Sequence, residues 1–370
     1  MDLEDFNRLL QVLCDLDGSD LHVKAGSAPR VRVDGHLRIL DDEPRINAEE
    51  VQALAEGIML PNICEIFTDK HEADFAYSVA GVGRFRVNAF YQRGSVALAV
   101  RRVRTSASTI AGLGLPEVVR RLADEQRGLV LVTGPTGSGK TTTLAAMINH
   151  INETRACHII TVEDPIEYLH TDALATIDQR EVGFDTETFT SAMRVILRQD
   201  PDVILVGEMR DPETVFTALT AAETGHLVFS TLHTTTATET INRIVDFFPP
   251  HQQTQIRISL AGSLQGIVCQ RLIPTADGLG RVPALEVLVI NGRIQQAIID
   301  PMLTGDIDGI VAEGAYYGMV TFDQSLAALL STGRITLAEA MTTATNPHDL
   351  KVMLERQGIL QTGSFATQLG

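Results

Sequence analysis

Apolar positions along the first hundred residues switch between two periods. Between Glu4 and Asp15 they fall at Phe6, Leu9, Leu10 and Leu13, the spacing of one helix face. Leu21-His22-Val23-Lys24 and Arg30-Val31-Arg32-Val33-Asp34-Gly35 alternate instead, around Ser27-Ala28-Pro29, and predict a hairpin of half-buried strands. A helix is expected around Asn47 to Met59. Arg84-Phe85-Arg86-Val87-Asn88-Ala89-Phe90 alternates again, with Arg93-Gly94 as a turn and Ser95 to Val103 as the return strand. Arg84 and Arg86 then share one strand face.

From about residue 117 the pattern changes to an alternation of short strand-like runs and helical stretches. Gly128–Thr133, Cys157–Val162, Asp202–Glu208 and His226–His233 read as strands. Thr142–Ile151 and Thr186–Arg198 read as helices. A further helix opens at Asp211-Pro212, an N-cap with proline at N1, and closes at Gly225. Such alternation indicates a parallel sheet with crossover helices. The expected organisation is an α+β domain over 1–104, a linker over 105–116 with two glycines and a proline, an α/β domain over 117–290, a helical region over 291–360 and a disordered tail over 361–370.

Composition narrows the class. The chain has 370 residues, 44% apolar, enough for two domains with separate cores. No apolar run reaches the roughly 18 residues of a membrane span, and the acidic start Met1-Asp2-Leu3-Glu4-Asp5 is unlike a secretory signal. Cys14, Cys64, Cys157 and Cys269 are scattered, which fits a reducing cytosol and argues against a structural zinc site. A net charge of −17 lowers the reading of a nucleic-acid-gripping protein, since phosphate neutralisation supplies most of that affinity.

The chemistry centres on Gly134-Pro135-Thr136-Gly137-Ser138-Gly139-Lys140-Thr141, which reads G-x-x-x-x-G-K-[ST] between an apolar strand and a helix, the phosphate-binding P-loop. The backbone N–H groups and the helix N-terminus attract phosphate oxygens. Lys140 can reach the β/γ-phosphates, and Thr141 offers a hydroxyl to Mg²⁺. Thr142 continues the binding turn. Ligands in such folds sit at the carboxyl ends of strands, where Glu163, Glu208 and His233 also fall. Glu163 is the candidate for polarising an attacking water. Glu208 is the candidate metal carboxylate, directly or through water. His226 and His233 are read as γ-phosphate sensors, contacts to a neighbour, or structural histidines. From Phe75 to Pro116 there is no Asp or Glu but there are six arginines, Arg84, Arg86, Arg93, Arg101, Arg102 and Arg104. Two readings stay open: a solvated basic face, or arginines that meet ATP and stabilise transition-state charge.

These residues resemble the secretion and type IV pilus ATPases, specifically the PilT-type retraction ATPases. Ser19–His22, Arg30–Gly35 and Gly83–Asn88 resemble the N-terminal module and its arginine strand. Gly134–Thr141 resembles Walker A, Ile159–Tyr168 the Asp box, Arg198–Asp211 the atypical Walker B and Thr224–His233 the His box. The resemblance implies an α/β RecA-like P-loop ATPase domain, an N-terminal α+β (PAS-like) domain, and a homohexamer binding ATP and Mg²⁺ between the two domains. It implies catalytic roles for Glu163, Glu208, Lys140, Arg84 and Arg86. Its partners would be an inner-membrane pilus platform protein and other pilus ATPases, at the cytoplasmic face of the membrane and without insertion into it. Only Cys269 occupies the region where assembly ATPases carry four cysteines, and their longer N-terminal extension is missing. Both favour retraction. Arg293–Pro301 departs from the AIRNLIRE-like segment of many PilT proteins, whereas Gly318–Gln324 matches. The alternatives are a PilU-like accessory ATPase, an assembly or type II secretion ATPase, and a RecA-like nucleic-acid motor.

Overall fold

The computed structural model describes residues 1–33, 35–104 and 108–360. Asp34, the first part of the expected linker (105–107) and the expected tail (361–370) lie outside the described residues. The chain divides into two compact units. The first is Met1–Ser106 together with Ile166–Leu169, and the second is Ala107–Pro165 together with His170–Gly370.

The first unit runs α1 (Leu3–Asp15), β1 (Asp20–Lys24), β2 (Arg30–Val33), β3 (His36–Ile39), α2 (Ala48–Ile58), α3 (Pro61–Lys70), β4 (Glu72–Val79), β5 (Gly83–Gln92) and β6 (Ser95–Arg102). A capping box starts α1, where Asp2 accepts from the Asp5 amide at 2.9 Å. Asn47 does the same for α2 through Glu50. Both supply acceptors to otherwise orphaned N–H groups. The strands form one antiparallel sheet in the order β3-β2-β1-β6-β5-β4. Arg93 and Gly94 both have positive φ, as a two-residue hairpin turn of matching twist requires. Phe6, Leu9, Leu10 and Leu13 pack with Leu21, Phe85, Val87 and Leu98 on one face of this sheet. The segment Ile166–Leu169 belongs to this unit through Leu169, whose amide donates to the Arg104 carbonyl at 2.8 Å.

The second unit continues with α4 (Glu117–Ala123), β7 (Gly128–Thr133), α5 (Lys140–Thr154), β8 (His158–Glu163), β9 (Thr176–Glu181), α6 (Phe189–Ile196), β10 (Val203–Val206), α7 (Pro212–Glu223), β11 (Leu227–Leu232), α8 (Ala237–Asp246), α9 (Pro250–Ser263), β12 (Leu264–Pro274) and β13 (Arg281–Val289). Among the described residues five α-helices follow, α10 (Gly292–Ile299), α11 (Ile307–Glu313), α12 (Phe322–Ser331), α13 (Leu337–Thr343) and α14 (Pro347–Arg356). The seven-stranded sheet has the order β13-β12-β7-β11-β10-β8-β9. All its pairs are parallel except the β12–β13 hairpin. Alternate residues of β7 face two separate cores: Leu129 and Leu131 point into one, Val130 and Val132 into the other. A strand covered on both faces has no polar side, hence its continuous apolar run.

Several expected boundaries shift. Helix α6 starts only at Phe189, because Thr188 caps it and exchanges hydrogen bonds with Ser191. Strand β10 stops at Val206, so Gly207 and Glu208 lie beyond it. The expected linker is not free chain over its second part, since Ile110 and Leu115 are buried with Val118 and Val119 of α4.

Candidate active site

The phosphate loop leaves β7 at Gly134 and enters α5 at Lys140. Gly134 has φ 143°, and a Cβ there would come within 2.3 Å of the Gln270 carbonyl oxygen. Gly139, the N-cap of α5, is left-handed at φ 89° and provides no capping side chain. Helix α5 therefore opens at Lys140 without a capping side chain from its N-cap residue. Positive peptide ends left this way favour an anion. Lys140 Nζ donates to the Gly134 and Pro135 carbonyls at 2.8 and 3.2 Å, which holds its charge over the loop. Ser138 Oγ is buried and has no hydrogen-bond partner among the described residues. An orphaned hydroxyl, an uncapped helix start and a held ammonium are the donor set that phosphate oxygens satisfy.

Three further groups reach the same edge of the sheet. Glu163 ends β8 and is only 7% exposed. Its Oε1 accepts from Thr161 Oγ1 at 2.7 Å and from Gln179 Nε2 at 3.2 Å. Glu208, two residues past β10, is ion-paired with Arg210 and lies 3.5 Å from His233 Nε2. The hydrogen bond from Arg210 to Glu208 raises the arginine's pKa further. His233 follows β11, the strand next to β7. Strand order then sets the spread: His233 one strand from the loop, Glu208 two and Glu163 three, or about 14 Å for the last at the usual strand spacing. For Mg²⁺, the Thr141 hydroxyl and Glu208 carboxylate are hard oxygen donors of the kind that ion takes.

His226 does not join them. It precedes β11, at the opposite end of the strand from His233, roughly 23 Å away at about 3.3 Å per residue. Its Nδ1 faces the Ala221 carbonyl at 3.0 Å and its own carbonyl accepts from Gly128. Within this chain it closes the turn between α7 and β11, so the expectation that it senses the nucleotide at Gly134–Thr141 is corrected.

In the first unit, Arg84 and Arg86 lie with Asn88 on the polar face of β5, opposite buried Phe85, Val87 and Ala89. Arg86 lines a cleft of about 200 Å³ with Asp20, Asp74, Asn88 and Arg101. The acid-free stretch is not acid-free in space, however. Arg101 pairs with Asp20 and Arg102 with Asp17, both at 2.9 Å, so these two are engaged by carboxylates from elsewhere in the chain.

Sequence reasoning did not single out Thr161, Gln179 or Gln270. Thr161 was within reach, two residues before Glu163 and hence on the same strand face. Gln179 and Gln270 sit on β9 and β12, two strands that the reading of the sequence did not identify.

The family described as "Type II/IV secretion system protein" matches residues 5–355. The type IV pilus retraction ATPase PilT of Pseudomonas aeruginosa is 44% identical over 345 residues, 93% of this chain and 99% of that protein. The type IV pilus ATPase PilU of the same organism is 40% identical over 351 residues, 95% of this chain and 91% of PilU. A crystal structure of the pilus retraction motor PilT with bound ADP superposes with a TM-score of 0.85 at 48% identity, covering 94% of this chain and 98% of that one.

Proposed function

Because this chain belongs to the Type II/IV secretion system protein family, we propose that it is a motor ATPase that couples ATP hydrolysis to type IV pilus retraction, the activity for which its relative PilT is named. The observation that carries the ATPase reading is the convergence of the phosphate loop, His233, Glu208 and Glu163 on one edge of one sheet.

In this reading the amides of Gly137–Thr142 and the Lys140 ammonium bind the phosphates of ATP. Gly134, Pro135, Thr136, Ser138 and Gly139 shape the loop. Thr141 and Glu208 hold Mg²⁺, which when bound neutralises phosphate charge. Glu163 orients the attacking water and accepts its proton, and His233 keeps Glu208 in place. Arg84 and Arg86 add positive charge as the γ-phosphoryl group departs. The motor works as a homohexamer against an inner-membrane platform protein of the pilus, on the cytoplasmic face. Among the described residues no helix is long and apolar enough to cross a membrane. The accessory role of PilU is the second reading, favoured by a match of similar extent.

The test is phosphate release by the purified chain. Lys140→Ala is expected to abolish ATP binding or turnover, and Glu208→Gln to keep binding while blocking hydrolysis. Unchanged steady-state rates in both variants sink the assignment. Strong stimulation of the wild-type rate by DNA would favour a nucleic-acid motor instead.

A further inference from the structure

Gln270 lies on β12, outside every motif that points to nucleotide chemistry, yet it is 3% exposed and its side-chain amide bridges the phosphate loop and the helix that follows. Nε2 donates to the Ser138 carbonyl at 2.7 Å, and Oε1 accepts from Thr143 Oγ1, in the first turns of α5, at 2.7 Å. Its backbone is engaged as well. The register pairs Cys269 with Thr133, which sets the Gln270 carbonyl against Gly134, where a Cβ would approach to 2.3 Å. A Cβ on Gly139 would meet Gln270 Nε2 at 2.7 Å. One residue thus touches the loop at its start, at its last turn and at the helix it feeds.

We propose that Gln270 is a positioning residue for ATP binding: its amide bridges Ser138 and Thr143 and holds the phosphate loop in its anion-binding shape. This role of Gln270 rests on the reading of Gly134–Thr141 as the phosphate site. A trans peptide is planar, with its C=O and N–H pointing in opposite directions. By drawing the Ser138 carbonyl inward, Gln270 turns the Gly139 N–H the other way, towards the open side of the loop. The amide cannot flip without cost, because the Ser138 carbonyl only accepts and would then face Oε1. The anchor is itself anchored. Arg271, the next residue, donates to the Thr343 carbonyl at 2.8 Å and stacks over the Phe322 ring at 4.1 Å. The C-terminal helices therefore brace the strand that shapes the loop.

The discriminating experiment uses the full-length purified chain and compares wild type, Gln270→Ala, Gln270→Met and Thr143→Val. Methionine keeps the volume and removes both hydrogen bonds, so it covers the case in which the alanine variant fails to fold. Phosphate release gives KM and kcat for ATP, calorimetry gives Kd for ADP, and thermal melting reports the fold. Shaping the loop helps ground state and transition state alike, and loss of such uniform binding raises KM without lowering kcat. The expected result is a rise of about tenfold in KM and Kd for the Gln270 variants, equivalent to about 1.4 kcal/mol, with kcat within about threefold of wild type. Thr143→Val should give a smaller rise, and adding it to Gln270→Met should change nothing further. Two results overturn the proposal: KM and Kd within about twofold of wild type in a folded Gln270 variant, or a large fall in kcat at unchanged KM, which would put Gln270 at the reacting atoms. A wild-type chain that neither binds nor hydrolyses nucleotide would instead overturn the ATPase reading itself.

Discussion

Replacing Glu163 by glutamine separates a catalytic carboxylate from a structural one. Thr161 Oγ1 at 2.7 Å and Gln179 Nε2 at 3.2 Å both donate to the same oxygen, Oε1. The glutamine carbonyl can occupy that position and keep both bonds, now neutral rather than charge-assisted. The loss is about 1 kcal/mol per bond, hence about 2 kcal/mol from this pair of bonds. For a domain of this size that lowers the melting temperature by roughly 4–8 °C. If the carboxylate takes the proton from the attacking water, turnover falls far more, by about 10²–10⁴-fold, because an amide cannot accept it. The assay is phosphate release at saturating ATP, alongside calorimetric ADP binding, which should stay within about twofold because Glu163 binds no phosphate in this account. A variant that melts a few degrees lower yet keeps kcat within about fivefold of wild type would refute the reasoning and leave Glu163 as a buried acceptor for its neighbours.

Two other perturbations probe different parts of the molecule. Arg84→Ala and Arg86→Ala should lower ATP turnover with a normal circular-dichroism spectrum. Arginines that stabilise phosphoryl-transfer charge are worth about 10³–10⁵ in rate, and full activity at both positions would restore the reading of a solvated basic face. Glu286, on β13, accepts from the Ala237 amide at 2.8 Å, and burial pushes its pKa up to about 7. The folded state then keeps a proton that the unfolded chain releases. That contribution is complete below the ordinary glutamate pKa and is lost as pH rises to about 7, at most about 3 kcal/mol. Glu286→Gln should flatten this part of the stability profile, so the variant gains on wild type as pH climbs through the window. A difference in melting temperature that stays constant with pH would contradict it.

What the sequence revealed followed the strength of local signals. The phosphate loop was legible because a glycine pattern, an apolar strand and a helix must coincide there. Glu163 and His233 were legible because short, mostly apolar strands end at them. Only the six residues of β11 separate His226 from His233, yet the two lie at opposite ends of that strand. Strand β9 escaped notice because Thr176–Glu181 is an edge strand with a mostly polar sequence, and with it went Gln179. Arg101 and Arg102 looked uncommitted because their partners, Asp20 and Asp17, come from more than eighty residues away. Ile110 and Leu115 sit in a stretch of small and polar residues, and only the packing against α4 shows that they are core.

The central claim, that ATP turnover by this chain retracts pili, is tested most directly by deleting its gene in a piliated host and counting surface pili by electron microscopy. Complementation with wild type and with Glu208→Gln completes the comparison. Retraction predicts excess pili in the deletion strain, normal numbers with wild type, and continued excess with the hydrolysis-blocked variant. Bald cells, or a pilus count that does not change, would contradict the account.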